Sequence, residues 1–260
     1  MMDCPLVFFS FVALDEPGPD DHRRYNEWHQ LDHRPENLAL PGIAWGDRWA
    51  RTPDCRAEST SAPEQAGTDY VAMYWFREPV AASVRQWEQL GADSFEWGRG
   101  PMIPGVRRTM LALFRPVMGY AAASSLVSAE VIPYRPNRGL HVTVTRFADP
   151  LGPDTHEHHR WEDRVLIPTL LEVPGVAGIW TFSLDHHQDN GLGLRSLEAE
   201  EPRGGLRMRI LYLDDDPIAT SIRVRERAED AAPLLAAPTS AAAELVMSTP
   251  LRTIIPWQDW

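Results

Sequence analysis

The feature that most constrains this chain is an internal repeat. Residues 28–43 read WHQLDHRPENLALPGI and residues 161–176 read WEDRVLIPTLLEVPGV. Trp28, Pro35, Leu38, Pro41 and Gly42 recur at one constant offset as Trp161, Pro168, Leu171, Pro174 and Gly175. Two similar units must therefore fit within 260 residues.

Each half opens on an alternating apolar run, PLVFFSFVAL at 5–14 and GLHVTVTRFA at 139–148. Such runs predict strands. Helices of about four to five turns follow, at roughly 22–39 and 155–172. After the Pro-Gly break come second strands, GIAWGDRWA and GVAGIWTFS, and then variable loops at 51–67 and 185–205. Third strands are DYVAMYWF and LRMRILYL, and second helices open on Glu78-Pro79 and Asp216-Pro217. Fourth strands are RRTMLALFRPV and VMSTPLRTII. The order is βαββαβ twice, the ferredoxin-like split βαβ unit. The units are assigned to 3–118 and 138–256, with 119–137 as linker.

One such unit leaves a sheet face bare, and two can cover each other. The predicted fold is therefore α+β, two tandem ferredoxin-like βαββαβ units packed sheet to sheet as an intramolecular pseudo-dimeric α+β barrel. A chain closed in this way is expected as a monomer, or as a homodimer through helix faces.

The first helix and its exit, YNEWHQLDHRPENLALPGI, resemble the EthD-like branch of the dimeric α+β barrel superfamily, whose pattern is W…EH…P…L…PG. The resemblance covers about 30 residues of the first half and is echoed more weakly in the second. It implies a functional histidine on this helix, and His33 falls on that position. The superfamily hosts monooxygenases, polyketide cyclases and dehydratases, isomerases and haem enzymes, so the fold alone does not select a reaction.

The repeat also acts as an internal control. Where the first copy has His29, Asp32 and His33, the second has Glu162, Val165 and Leu166. Asp32 and His33 are ionisable where the sister copy is apolar, so either burial is relaxed there or chemistry was installed. Histidine titrates near neutral pH and aspartate can fix its tautomer. His33 is thus the candidate catalytic acid or base, oriented by Asp32 or His29. On the first strands, Phe8, Ser10 and Val12 align with His141, Thr143 and Thr145, and alternation puts each trio on one face. The more polar trios are expected to line a pocket between the sheets. The uniformly apolar faces, with Phe9, Phe11, Val142 and Val144, are expected beneath the helices. Ser10, Thr143, Thr145, His141, Phe8 and Trp75 are the expected substrate contacts, and the variable loops the expected rim.

Composition removes several classes. All 25 basic residues are arginine, so lysine Schiff-base chemistry and a P-loop lysine are excluded. A net charge of −12 disfavours nucleic acid and anionic membranes as partners. Cys4 and Cys55 form no CxxC, the first strand lacks signal-peptide flanks, and a cytoplasmic protein is expected. THEHH at 155–159 and DHH at 185–187 read as surface histidines, and no metal is expected. DDDP at 214–217 reads as a helix cap at Asp216. The activity expected from these residues and the resemblance is a cofactor-independent cyclase, dehydratase or isomerase. Its substrate would be an aromatic or polyketide-like molecule of bacterial secondary metabolism. The alternatives are a monooxygenase, a haem-dependent relative with His33 or His141 as axial ligand, and a non-catalytic small-molecule-binding protein.

Overall fold

The computed structural model describes residues 4–100, 103, 105–188, 201–231 and 243–258. The first half runs β1 (Leu6–Leu14), α1 (Asp21–Trp28), a π-helical turn at His29–His33, α2 (Arg34–Ala39), β2 (Ile43–Ala50), α3 (Pro53–Ala57), β3 (Thr60–Ser61), β4 (Tyr70–Phe76), α4 (Val80–Glu96) and β5 (Val106–Ala121). The second runs β6 (Gly139–Phe147), α5 (Pro153–Trp161), a π turn at Glu162–Leu166, α6 (Ile167–Leu171), β7 (Val176–His187), β8 (Leu206–Leu213), α7 (Pro217–Ala231) and β9 (Ala243–Thr253). β5 thus continues into the stretch read as linker.

The antiparallel strands are ordered β2-β4-β1-β5-β7-β8-β6-β9, with β3 added beside β9 and a further pairing of β2 with β9. Each half therefore has the same internal order, and the two join edge to edge at β5–β7 and β2–β9. The result is a closed barrel with helices outside. Asp216 caps α7, its Oδ1 accepting from the amides of Ile218 and Ala219 at 3.1 and 3.0 Å.

The two π turns occupy equivalent repeat positions, and a proline explains both. Pro35 and Pro168 lack an N–H, and their rings press on the carbonyl one turn back. Widening the preceding turn relieves that clash, and π turns of this kind recur at functional sites.

The distribution of faces differs from the sequence expectation. Phe9, Phe11, Val71, Met73, Trp75, Val142, Val144, Met208 and Ile210 form one buried core. Both halves contribute to it, so it fills the barrel interior. Phe8, Ser10, Val12 and His141 point outward, beneath the helices. The physical reason is closure: the interior offers no partner except other strands, so it takes the apolar set. Polar groups go where helices supply partners, and His141 Nδ1 lies 2.8 Å from Ser221 Oγ of α7.

Candidate functional site in the first half

A cavity of about 370 Å³ lies between the outer face of the first-half sheet and its helices. This falls within the size range of small-molecule pockets. Phe8, Ser10 and Val12 of β1 and Ala72 and Tyr74 of β4 form its floor. His29 and His33 enter from the π turn, Trp28 from α1, and Trp87 and Phe95 from α4. The lining is mostly apolar with a few convergent polar groups.

The π turn sets both imidazoles. His29 and His33 have ring centroids 5.3 Å apart. His33 stacks on Trp28 at 4.7 Å and an interplanar angle of 21°. Trp28 is itself anchored by donating from Nε1 to the Arg99 carbonyl at 2.7 Å. Burial lowers the His33 pKa to about 4, with Arg108 adding to the effect. Burial likewise holds His29 well below its ordinary value, with Arg48 as the next cause. Both rings are therefore neutral at physiological pH.

The hydrogen bonds around these rings are sparse. His29 Nε2 lies 3.5 Å from Tyr74 Oη, and its Nδ1 is buried without a partner. The Asn37 amide nitrogen donates to the His33 carbonyl at 2.6 Å and stands 3.4 Å from His33 Nδ1. That second contact is too long to hold the ring proton on one nitrogen. His33 Nε2 has no hydrogen-bond partner among the described residues. Asp32 does not bond either ring. It pairs with Arg99, which also reaches Glu36 at 2.6 Å.

Arg108 completes the lining, and its position depends on a β-bulge. Phe11 pairs with Met110, but Val12 pairs with Arg108, so Thr109 is skipped. Strict alternation from inward-facing Met110 and Ala112 would send Arg108 into the barrel. The bulge turns it outward to the cavity. Thr109 is held by Gln65, whose Nε2 donates to its carbonyl at 2.8 Å, and by Thr68 Oγ1 at 2.7 Å. Sequence reading missed Arg108 because a bulge leaves no mark in an alternating run. Trp28 was visible in the repeat, but nothing in the sequence marked it as a cavity residue.

Four expected contacts lie elsewhere. Trp75 is in the barrel core, 5.2 Å from Trp180. His141, Thr143 and Thr145 sit on β6 in the second half. His141 Nε2 lies 3.0 Å from Ser248 Oγ, and burial lowers its pKa to about 3. The loop at 51–67 packs on β9 through Thr60↔Ser248 rather than forming a rim. Within the other expected rim, residues 189–200 lie outside the described residues.

No family model matches the chain, and no curated protein matches it. Solved structures do. A protein named as a chlorite dismutase, TA0507, is 15% identical with a TM-score of 0.50, over 98% of this chain and 96% of its own. A protein named as a monooxygenase from Fusobacterium nucleatum is 8% identical with a TM-score of 0.52, over 98% and 94%. A dye-decolorizing peroxidase from Bacteroides thetaiotaomicron is 8% identical with a TM-score of 0.55, over 97% and 94%. This chain has the dimeric α+β barrel fold. All three names are those of redox proteins. They overturn the expected cofactor-independent cyclase, dehydratase or isomerase of polyketide metabolism and turn attention to the haem and oxygenase alternatives.

Haem is among the groups that proteins of this fold hold, and the first-half residues meet three of its requirements. The walls are apolar. His33 is neutral, and its Nε2, with no hydrogen-bond partner among the described residues, would be free to hold the iron. Arg108 supplies a buried cation for a propionate.

Proposed function

We propose that the chain is a small-molecule oxidoreductase that works in the first-half cavity with haem, which His33 would hold through its imidazole. The observation that carries this reading is the neutral, stacked His33 imidazole beside an apolar cavity. The EthD-like pattern of the first helix supports His33 in a functional role. The matching π turns support descent of both halves from one βαββαβ unit.

Haem, when bound, supplies the electron-transfer chemistry that these side chains lack. The chain's own residues bind and orient. Trp28 fixes the plane of His33, and the Trp28–Arg99 hydrogen bond fixes Trp28. Phe8, Val12, Trp87 and Phe95 exclude water and face an apolar or aromatic substrate. His29, neutral and buried, holds a proton on one nitrogen and accepts one on the other.

The test is peroxide-dependent oxidation of an aromatic dye by the hemin-reconstituted protein. Turnover in the wild type and its loss in His33→Ala are expected. Equal turnover in both, or none in a wild type that binds hemin through His33, would overturn the reading.

A further inference from the structure

The two halves handle buried positive charge differently, and the difference identifies what the cavity accepts. In the second half, Glu162 occupies the repeat position of His29. It is 2% exposed and receives Arg207 Nε at 2.8 Å and Arg209 Nη1 at 2.6 Å, and with Asp163, 3.4 Å from Arg207 Nη2, it neutralises two arginines of β8.

Register places those arginines against their first-half counterparts. Leu6 pairs with Phe76 as Gly139, its repeat equivalent, pairs with Leu213. Counting back along each strand by alternation, Tyr70 and Ala72 occupy the positions of Arg207 and Arg209. The second half thus fills this layer with a guanidinium and its carboxylate. The first half places Ala72 there, has His29 in place of the carboxylate, and opens a cavity.

Arg108 remains on that cavity's wall. It is 8% exposed, and its Nη1 is buried without a hydrogen-bond partner. Among the described residues no carboxylate lies within ion-pair distance of it. Glu88 lines the cavity, but Gln188 Nε2 approaches it at 3.4 Å and Glu88 is exposed. A buried guanidinium without a counter-ion is costly, and a protein that keeps one has a use for it.

We infer that Arg108 is an anion-binding residue, and that the cavity takes a molecule carrying an anionic oxygen, a carboxylate above all, on an apolar body. The ligand supplies the counter-ion that Glu162 supplies in the sister half. This deepens the cavity assignment and does not depend on redox chemistry. The carboxylate has two sources, a haem propionate or the acid group of a substrate.

The experiment titrates haem-free protein with 2-naphthoate and with uncharged 2-naphthylmethanol, reading heat and tryptophan fluorescence. In parallel it titrates hemin and hemin dimethyl ester. Naphthoate is expected to bind about tenfold or more tighter than the alcohol, as charge-assisted hydrogen bonds require. Arg108→Gln should abolish that preference and leave the alcohol's affinity unchanged, and Arg108→Lys should retain part of it. A propionate as the source requires that esterification weaken hemin binding in the wild type but not in Arg108→Gln. A substrate acid as the source predicts the naphthoate preference with no effect of esterification. Equal binding of acid and alcohol, no binding of naphthoate, or an unchanged preference in Arg108→Gln would overturn the inference. If dye oxidation fails while the acid preference persists, the redox reading falls and the anion site stands.

Discussion

At the residue scale, the chemistry follows from how each buried ionisable group is satisfied. Glu162 stays ionised despite burial because Arg207 and Arg209 hold its pKa below the ordinary value. Glu162→Gln should therefore strand Arg209, leave Arg207 with Asp163 alone at 3.4 Å, and destabilise the protein by about 3–5 kcal/mol. Urea denaturation checks this, and a loss below about 1 kcal/mol would contradict it. His141 is the opposite case, a neutral ring between Ser221 and Ser248. An unfolded histidine takes up its proton near pH 6.5, whereas native His141 waits until about 3. Between those values the unfolded chain binds more protons, so stability falls as pH falls, by about 1.4 kcal/mol per pH unit for this group. Melting temperatures between pH 7.5 and 5 should decline, and His141→Gln should flatten the slope. An unchanged slope in the variant would contradict the assignment.

At the element scale, much of the design is legible in the sequence and some of it is not. The matched Trp, Pro and Pro-Gly positions mark the first helices and their exits in both halves. The apolar runs mark the eight longer strands, but not β3, which lies in the stretch read as a loop. What alternation cannot say is which face turns inward, because Phe8-Ser10-Val12 and Phe9-Phe11 are both compatible with burial. The helices decide it by offering partners such as Ser221, and that choice depends on contacts far apart in the chain. The bulge at Thr109 is equally silent, since it arises from Gln65 and Thr68 reaching across to β5. The barrel's two seams also differ. β5 and β7 pair continuously from Ala112↔His187 to Ala121↔Gly178, with bulges. β2 and β9 meet only at Trp49↔Thr253 and Ala50↔Arg252. Asn137 reinforces the short seam, its Oδ1 accepting from Trp49 Nε1 at 3.0 Å and from Thr253 Oγ1 at 2.9 Å. Asn137→Ala should speed amide exchange at Thr253 and leave the β5–β7 amides unchanged. Equal acceleration at both seams would show that the short seam is not a separate weak point.

At the scale of the whole molecule, one apolar interior joins both halves, since Phe9, Trp75, Trp180, Phe182 and Met208 share it. Thermal unfolding should therefore be a single transition seen alike by circular dichroism and fluorescence. Two resolved transitions would mean that the halves are stable apart. The asymmetry between the halves then carries the function: one sheet–helix layer is filled and internally neutralised, and the other holds a cavity, two neutral imidazoles and Arg108. The most direct test of that division is a hemin titration of the wild type and of His33→Ala, followed by the Soret band. Saturation at one hemin per chain is predicted, with an imidazole-ligated spectrum that is lost in His33→Ala and kept in His141→Gln. An identical spectrum in wild type and His33→Ala, or one abolished by His141→Gln, would contradict the first-half site.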